Sequence, residues 1–113
     1  MEYLFVIWEG GDGAESYAPD TMMAEMGAYA ADLAGKGKLK AGAPLQPASQ
    51  SMTVRRRRGT LTAVDGPYIE TKEVMGGYFV VEADSMEEAV EVARGCPAAA
   101  YGAIEVREQI PMG

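Results

Sequence analysis

Two carboxylates, Asp65 and Glu70, are the residues whose types best suit acid/base chemistry in this sequence. The chain has no histidine, which removes the commonest general base near neutral pH and the Ser-His-Asp and Cys-His arrangements. A carboxylate can serve instead where its surroundings raise its pKa towards neutrality. We therefore expect Asp65 and Glu70 to be the catalytic candidates, with Lys72 and Tyr78 orienting a ligand.

A structural role for the same carboxylates stays open. Asp65 begins an Asp-Gly-Pro turn, where an aspartate side chain commonly bonds its own backbone. Glu70 and Lys72 are two residues apart, so they would pair on one face of an extended segment. The sequence alone does not separate these roles from catalysis.

We expect no metal and no cofactor. The single cysteine, Cys96, excludes an internal disulfide and any multi-cysteine metal site. Gly11 and Gly13 follow an apolar run as in a dinucleotide loop, but the third glycine and an immediately following helix are absent.

The basic residues are concentrated in one part of an acidic chain. The net charge is -7, yet seven of the ten lysines and arginines lie within 36–58, where no acidic residue occurs. Arg55 to Arg58 are either the solvated edge of a hairpin or a site for phosphate, carboxylate or nucleic acid. No aromatic residue is interleaved with them to stack bases, and the net charge argues against general nucleic-acid binding.

The length of 113 residues fits a single domain over residues 1–113. The longest apolar run, Tyr3 to Trp8, is far too short to cross a bilayer, and the start of the chain does not resemble a secretory signal. We expect a cytoplasmic protein without a membrane partner.

Periodicity and turn residues predict two helices and several strands. Helix one begins at Pro19 and ends at the glycines 35 and 37. We interpret its methionines as core packing, with a soft ligand surface as the alternative. Ser85 and Glu88 form a capping box for helix two, and Gly76-Gly77 predicts either a bulge or a tight approach of the backbone. The predicted extended segments are Tyr3–Trp8, Lys38–Ala43, a hairpin of Met52–Arg57 and Thr60–Val64, Tyr68–Glu73, Tyr78–Val81 and Ala103–Arg107, and the second helix is Met86–Arg94.

This order predicts an α+β fold, a ferredoxin-like βαββαβ domain with an inserted β-hairpin. Two helices cover only one face of the sheet, yet the residues from Tyr3 to Trp8 are apolar on both faces. The second face would exceed the apolar patch that a monomer tolerates, so we expect a homodimer with its sheets face to face. Such a dimer encloses a barrel, and a ligand cavity would lie inside it or at its mouth.

Three segments resemble the DGPF branch of the YCII-related family: residues 65–73 (DGPYIETKE), 76–78 (GGY) and 104–107 (IEVR). The resemblance implies a dimeric α+β barrel. Most members of the family have no established biochemical function, some are encoded beside or fused to sigma factors of the extracytoplasmic-function type, and some relatives are enzymes acting on small ring compounds.

The chain also departs from that family. A histidine-aspartate site proposed for the wider family cannot occur here, because histidine is absent. Arg56 stands where the family pattern has an aliphatic residue, and we interpret it as an anion contact. Tyr68 replaces the usual phenylalanine of the DGPF motif. We thus expect Arg56, Tyr68, Lys72 and Tyr78 to bind ligand.

Two functions follow as hypotheses. In the first, a homodimer handles a small anionic or aromatic molecule in a barrel cavity, by carboxylate acid/base chemistry or by binding alone. In the second, the protein is a non-catalytic regulatory or interaction module whose basic hairpin meets an acidic partner, linked by the family resemblance to sigma-factor-dependent transcription.

Overall fold

A computed structural model of the chain describes residues 1–16, 18–69 and 71–112. The strands are β1 (Glu2–Glu9), β2 (Leu39–Pro44), β3 (Met52–Arg57), β4 (Thr60–Asp65), β5 (Val74–Glu82) and β6 (Ala103–Glu108). The helices are α1 (Pro19–Gly35) and α2 (Met86–Arg94), with short 3-10 turns at Ala14–Ser16, Ala48–Gln50 and Pro97–Ala100. Within these described ranges, no helix has both the length and the apolar character needed to cross a bilayer.

The main sheet has four antiparallel strands in the order β2-β5-β1-β6. With one helix after β1 and one after β5, this is the predicted ferredoxin-like α+β arrangement. The inserted hairpin, β3 and β4, forms a separate two-stranded sheet. The sequence prediction of the fold is therefore confirmed.

The core lies between the helices and one face of the main sheet. Alternate residues of β1, namely Tyr3, Phe5 and Ile7, are buried there together with residues of both helices. The Tyr29 hydroxyl of α1 donates a hydrogen bond to the Val92 carbonyl of α2 at 2.6 Å, which joins the two helices. Both helices thus cover the same face.

The opposite face of the sheet is also apolar at its centre. Leu4 pairs with Val80 and Val6 pairs with Tyr78, so these side chains share the face that the helices leave open. Val6 is buried, whereas Leu4, Tyr78 and Val80 each remain partly exposed. Trp8 lies on the same face, where its indole Nε1 donates to Glu105 Oε1 at 3.0 Å.

The second helix begins as its sequence predicts. The Ser85 hydroxyl accepts a hydrogen bond from the Glu88 backbone N–H at 3.1 Å. The Glu88 carboxylate accepts a bond from the Asp84 N–H at 3.4 Å, one residue before the position that a standard capping box uses. The other carboxylate oxygen of Glu88 lies 2.7 Å from Nζ of Lys38, the residue that precedes β2.

The glycine pair also acts as predicted. Ile7 pairs with Gly77 while Trp8 pairs with Met75, so Gly76 is the extra residue of a β-bulge. The segment Tyr68–Glu73, in contrast, was expected to be extended, and this expectation is wrong. Bends occur at Tyr68, Ile69, Lys72 and Glu73, and the described residues of this connection between the hairpin and β5 pair with no strand.

The hairpin extends away from the domain body. Its turn has positive φ at Arg58 (53°) and Gly59 (78°), the pattern of a type I′ turn. The chain has a radius of gyration of 15.7 Å, above the roughly 13 Å of a compact domain of this length. Exposed arginines and apolar side chains therefore lie on a projecting ribbon.

Candidate functional site

A groove of 380 Å³ lies between α1 and the edge of the sheet formed by β2 and β5. Its lining is almost entirely apolar and contains no lysine or arginine among the described residues. Helix α1 contributes three methionines, Met22, Met23 and Met26. The strands contribute Leu39 and Phe79, and Leu45 follows directly after β2. Such a lining suits an uncharged ring or alkyl group.

The methionines of α1 divide between core and groove. Met22 and Met26 pack against the core and are partly buried, as expected for core residues. Met23 is 63% exposed, so the interpretation of every methionine as core packing is wrong at this position. Its flexible thioether forms part of the outer wall of the groove, where it can adapt to a ligand.

A smaller hollow of 260 Å³ adjoins the groove. The two share Ile7, Glu9, Met22 and Ala98, and the hollow continues towards Trp8 and Tyr101. The end of β1 therefore lies at the junction of two apolar spaces. The acidic residue at this junction is Glu9.

The Glu9 carboxylate lies over the bulge of β5. A Cβ at Gly76 would overlap its Oε1 atom, so the absence of a side chain at Gly76 provides the space for this carboxylate. Glu9 is half-buried, and its carboxylate makes no hydrogen bond or ion pair with another residue in the described part of the chain. A carboxylate in this position can accept hydrogen bonds from a hydroxyl or an N–H of a molecule in the groove.

The predicted catalytic residues lie elsewhere or beyond the described residues. Asp65 is exposed at the end of β4, where it pairs with Met52, and it does not line the groove. The adjoining turn is instead held by the Gly66 N–H, which donates to the Ser51 carbonyl at 2.7 Å. Glu70 lies outside the described residues, so its proposed pairing with Lys72 and its catalytic role stay predictions.

The predicted ligand-binding residues are dispersed. Tyr78 is among the residues lining the groove, although its side chain lies on the open face of the sheet. Arg56 is exposed on the hairpin and Lys72 is exposed in the following connection. Tyr68 is 60% exposed, with the guanidinium of Arg55 5.2 Å from its ring centroid. The structure thus places Tyr68 against Arg55 on the surface and outside the groove lining.

A model of the YCII-related domain matches residues 1–113. This chain belongs to the YCII-related family. An uncharacterised protein of Rhizobium meliloti (strain 1021) is 32% identical over 90 residues, which are 78% of this chain and 73% of that protein. The resemblance drawn from the Asp-Gly-Pro and Gly-Gly-Tyr segments is thereby confirmed.

A solved structure supports the fold of this YCII-related protein. It is similar to 5-chloro-2-hydroxyhydroquinone dehydrochlorinase (TftG) from Burkholderia phenoliruptrix AC1100, solved in complex with 2,5-dihydroxybenzoquinone. The TM-score is 0.58 at 21% sequence identity, and the match covers 100% of this chain and 96% of that one. At this level of identity the similarity establishes the shared fold.

Glu9 was not among the predicted site residues of this YCII-related chain, although the sequence contains a signal for it. Glu9 directly follows the apolar run of β1, and its odd number places it on the same face as Phe5 and Ile7. A carboxylate on the core-facing side of a strand is unusual and indicates either a partner or a ligand. The bulge that makes room for it is formed by a residue 67 positions away, which the sequence does not connect with Glu9.

Proposed function

We propose that this protein is a homodimer that binds a small, hydroxyl-bearing aromatic molecule in the groove beside α1, with Glu9 as the hydrogen-bond acceptor. The proposal depends above all on one observation: a carboxylate without a partner among the described residues faces an apolar groove of 380 Å³. An aromatic ring would fill the apolar space, and its hydroxyl would satisfy the carboxylate.

An aromatic ligand is favoured over an anionic one. The described lining of the groove offers an anion no lysine or arginine, and a second negative charge beside Glu9 would be repelled. The dehydrochlorinase of similar fold acts on a chlorinated hydroxyhydroquinone and was solved with a dihydroxybenzoquinone. By analogy, we propose a ligand of the hydroquinone class.

The homodimer is supported by the open face of the sheet. Leu4, Trp8, Tyr78 and Val80 leave a partly exposed apolar surface on the side without helices. Burial of this surface against a second copy around a two-fold axis would remove it from water and enclose the predicted barrel. In this arrangement the groove lies on the helix side of each protomer, outside the space between the sheets.

The chemistry proposed for the bound molecule is proton exchange with a carboxylate. Glu9 is placed to hold a ring hydroxyl at the groove, whereas Asp65 and Glu70 remain the candidates from sequence. The two locations are separate in the fold, because Asp65 belongs to the exposed hairpin and Glu9 to a strand of the main sheet. Substitution of each carboxylate by its amide separates them.

The experiment is a calorimetric titration with hydroquinone and with 1,4-dimethoxybenzene, a ring of similar shape that has no hydroxyl hydrogen. The wild-type protein should bind hydroquinone more tightly than the dimethoxy compound. Glu9→Gln should weaken hydroquinone binding about tenfold, which is the difference between a charged and a neutral acceptor. Binding of the dimethoxy compound should not change. Asp65→Asn, the matched control, should bind both compounds like the wild type.

Two results would contradict the proposal. Equal binding of hydroquinone by wild type and Glu9→Gln would remove Glu9 from the site. Loss of binding in Asp65→Asn, with Glu9→Gln unaffected, would instead assign the ligand to the region of Asp65 and Glu70.

A second candidate function is an interaction module based on the hairpin. It is favoured by the exposure of all four arginines from Arg55 to Arg58, none of which forms an ion pair with another described residue. Binding to an acidic protein should then weaken with salt and be abolished by the double change Arg55→Ala and Arg57→Ala. Hydroquinone binding should be unaffected by this change.

A further inference from the structure

The two faces of the hairpin differ in character. Register pairs Val54 with Ala63 and Arg56 with Leu61, so these side chains and that of Met52 share one face. The opposite face carries Arg55 and Arg57 with three threonines and one valine, Val64. The first face is apolar except at its ends, where Arg56 and Asp65 lie.

The apolar face is uncovered in a single copy of the chain. Met52 is 62% exposed, Val54 65% and Leu61 59%. A lone two-stranded ribbon is at best marginally stable in water, because it has no layer against which to bury its side chains. A ribbon with this face therefore needs a surface to pack on.

The distribution of charge along the chain indicates which surface the hairpin packs on. Four arginines and one aspartate give the hairpin, residues 52–65, a net charge of +3, so the remainder of the chain carries -10. Hairpins from two copies would repel each other, whereas a hairpin and the body of another copy attract. In the proposed homodimer, such an acidic body is provided by the partner copy of the same chain.

We propose that the hairpin of each protomer packs through its Met52, Val54 and Leu61 face onto the acidic body of the partner. The contact is reciprocal around the two-fold axis, so each subunit both extends a hairpin and receives one. The inference depends on the proposed homodimer and adds to it a contact that sheet-to-sheet packing does not require.

Sedimentation analysis over a range of concentrations tests the contact. Val54→Asp puts a charge on the apolar face of the hairpin, and Thr62→Asp makes the same change of charge on the opposite face. The dimer dissociation constant should rise at least tenfold in Val54→Asp, because a charge there replaces a side chain that is buried in the contact. It should change less than threefold in Thr62→Asp. Val80→Asp on the open face of the sheet tests the homodimer independently.

The outcomes are distinguishable. If Val80→Asp dissociates into monomers while Val54→Asp and Thr62→Asp have the same dimer dissociation constant, the homodimer stands and the hairpin contact is overturned. A wild-type protein that remains monomeric would overturn both. Tight binding of the hairpin to duplex DNA, with no effect of Val54→Asp on association, would overturn the hairpin contact alone. If Val54→Asp fails to unfold cooperatively, Leu61→Asp compared with Thr60→Asp repeats the same test.

Discussion

The carboxylate of Glu9 occupies the space that a side chain at Gly76 would fill. The two residues face each other where the bulge interrupts the pairing of β1 with β5. The bulge shifts the register by one residue and places a glycine under the carboxylate, which leaves Glu9 at the junction of two apolar spaces. The position of this acceptor therefore depends on a residue that carries no functional group.

Gly76→Ala should reduce hydroquinone binding about as much as Glu9→Gln does, roughly tenfold, because the new methyl group displaces the carboxylate from the groove. Calorimetry measures the binding. The loss of unfolding free energy should be small, about 1 kcal/mol, since the displaced group is the end of a flexible side chain. In a Glu9→Ala background, Gly76→Ala should have no further effect on binding, and an additive loss would contradict the linkage.

Gly42→Ala should destabilise the protein by about 1–3 kcal/mol, the usual cost of overpacking. Gly42 pairs with Phe79, and a Cβ at this position would overlap the Phe79 ring, which is itself buried in the core beside Tyr29. Gly27→Ala is the matched control. It has open space around it within α1, so alanine there should raise the unfolding free energy by about 0.5–1 kcal/mol in a denaturant titration. Equal effects at both glycines would contradict this assignment.

Local signals in the sequence predicted the elements of this fold well. Ser85 and Glu88 specify the start of α2 through a bond between residues three apart, and the Gly76-Gly77 pair specifies the bulge. The apolar residues on both faces of β1 similarly predicted the open face of the sheet. Each of these signals depends on residues that are close together in the sequence, so it can be recognised without the structure.

The candidate site depended on contacts that no local pattern contains. Glu9 meets Gly76 only because β1 and β5 pair in one register, and the groove exists only where α1 crosses that edge of the sheet. Arg56 and Lys72 were predicted from motifs, yet the structure places both on exposed segments outside the described groove lining. The Gly-Gly-Tyr motif, residues 76–78, lines the groove, whereas most of the other lining residues come from separate elements that no motif marks.

The Lys38–Glu88 ion pair should make stability depend on pH in the acid range. The hydrogen bond from Lys38, together with its charge, holds the pKa of Glu88 below the ordinary value of 4.5. The unfolded chain therefore takes up a proton first, and the stabilisation is present above pH 4.5 and lost as the pH falls through the lower, folded-state pKa. Thermal unfolding of wild type and Glu88→Gln should differ at neutral pH and converge towards pH 3.

Glu87→Gln is the control for this pair. Glu87 shares the first turn of α2, so the change removes the same charge near the helix N-terminus, but Glu87 has no ion pair with another described residue. A Glu87→Gln variant with the same pH dependence as Glu88→Gln would attribute the effect to the helix terminus rather than to Lys38.

Tyr29→Phe should lower the unfolding free energy by about 1 kcal/mol at neutral pH, because the hydroxyl donates the hydrogen bond that joins α1 to the Val92 carbonyl of α2. The loss stays moderate since that carbonyl also accepts a bond from the Gly95 N–H at 3.2 Å. Burial raises the pKa of the Tyr29 hydroxyl above its ordinary value of 10.0, so the unfolded chain loses this proton first as the pH rises. The advantage of the wild type should therefore shrink above pH 10, and denaturant titrations at pH 7 and pH 11 measure the change. An advantage that stays constant across this range would show that the hydroxyl is as accessible in the folded protein as in the unfolded chain.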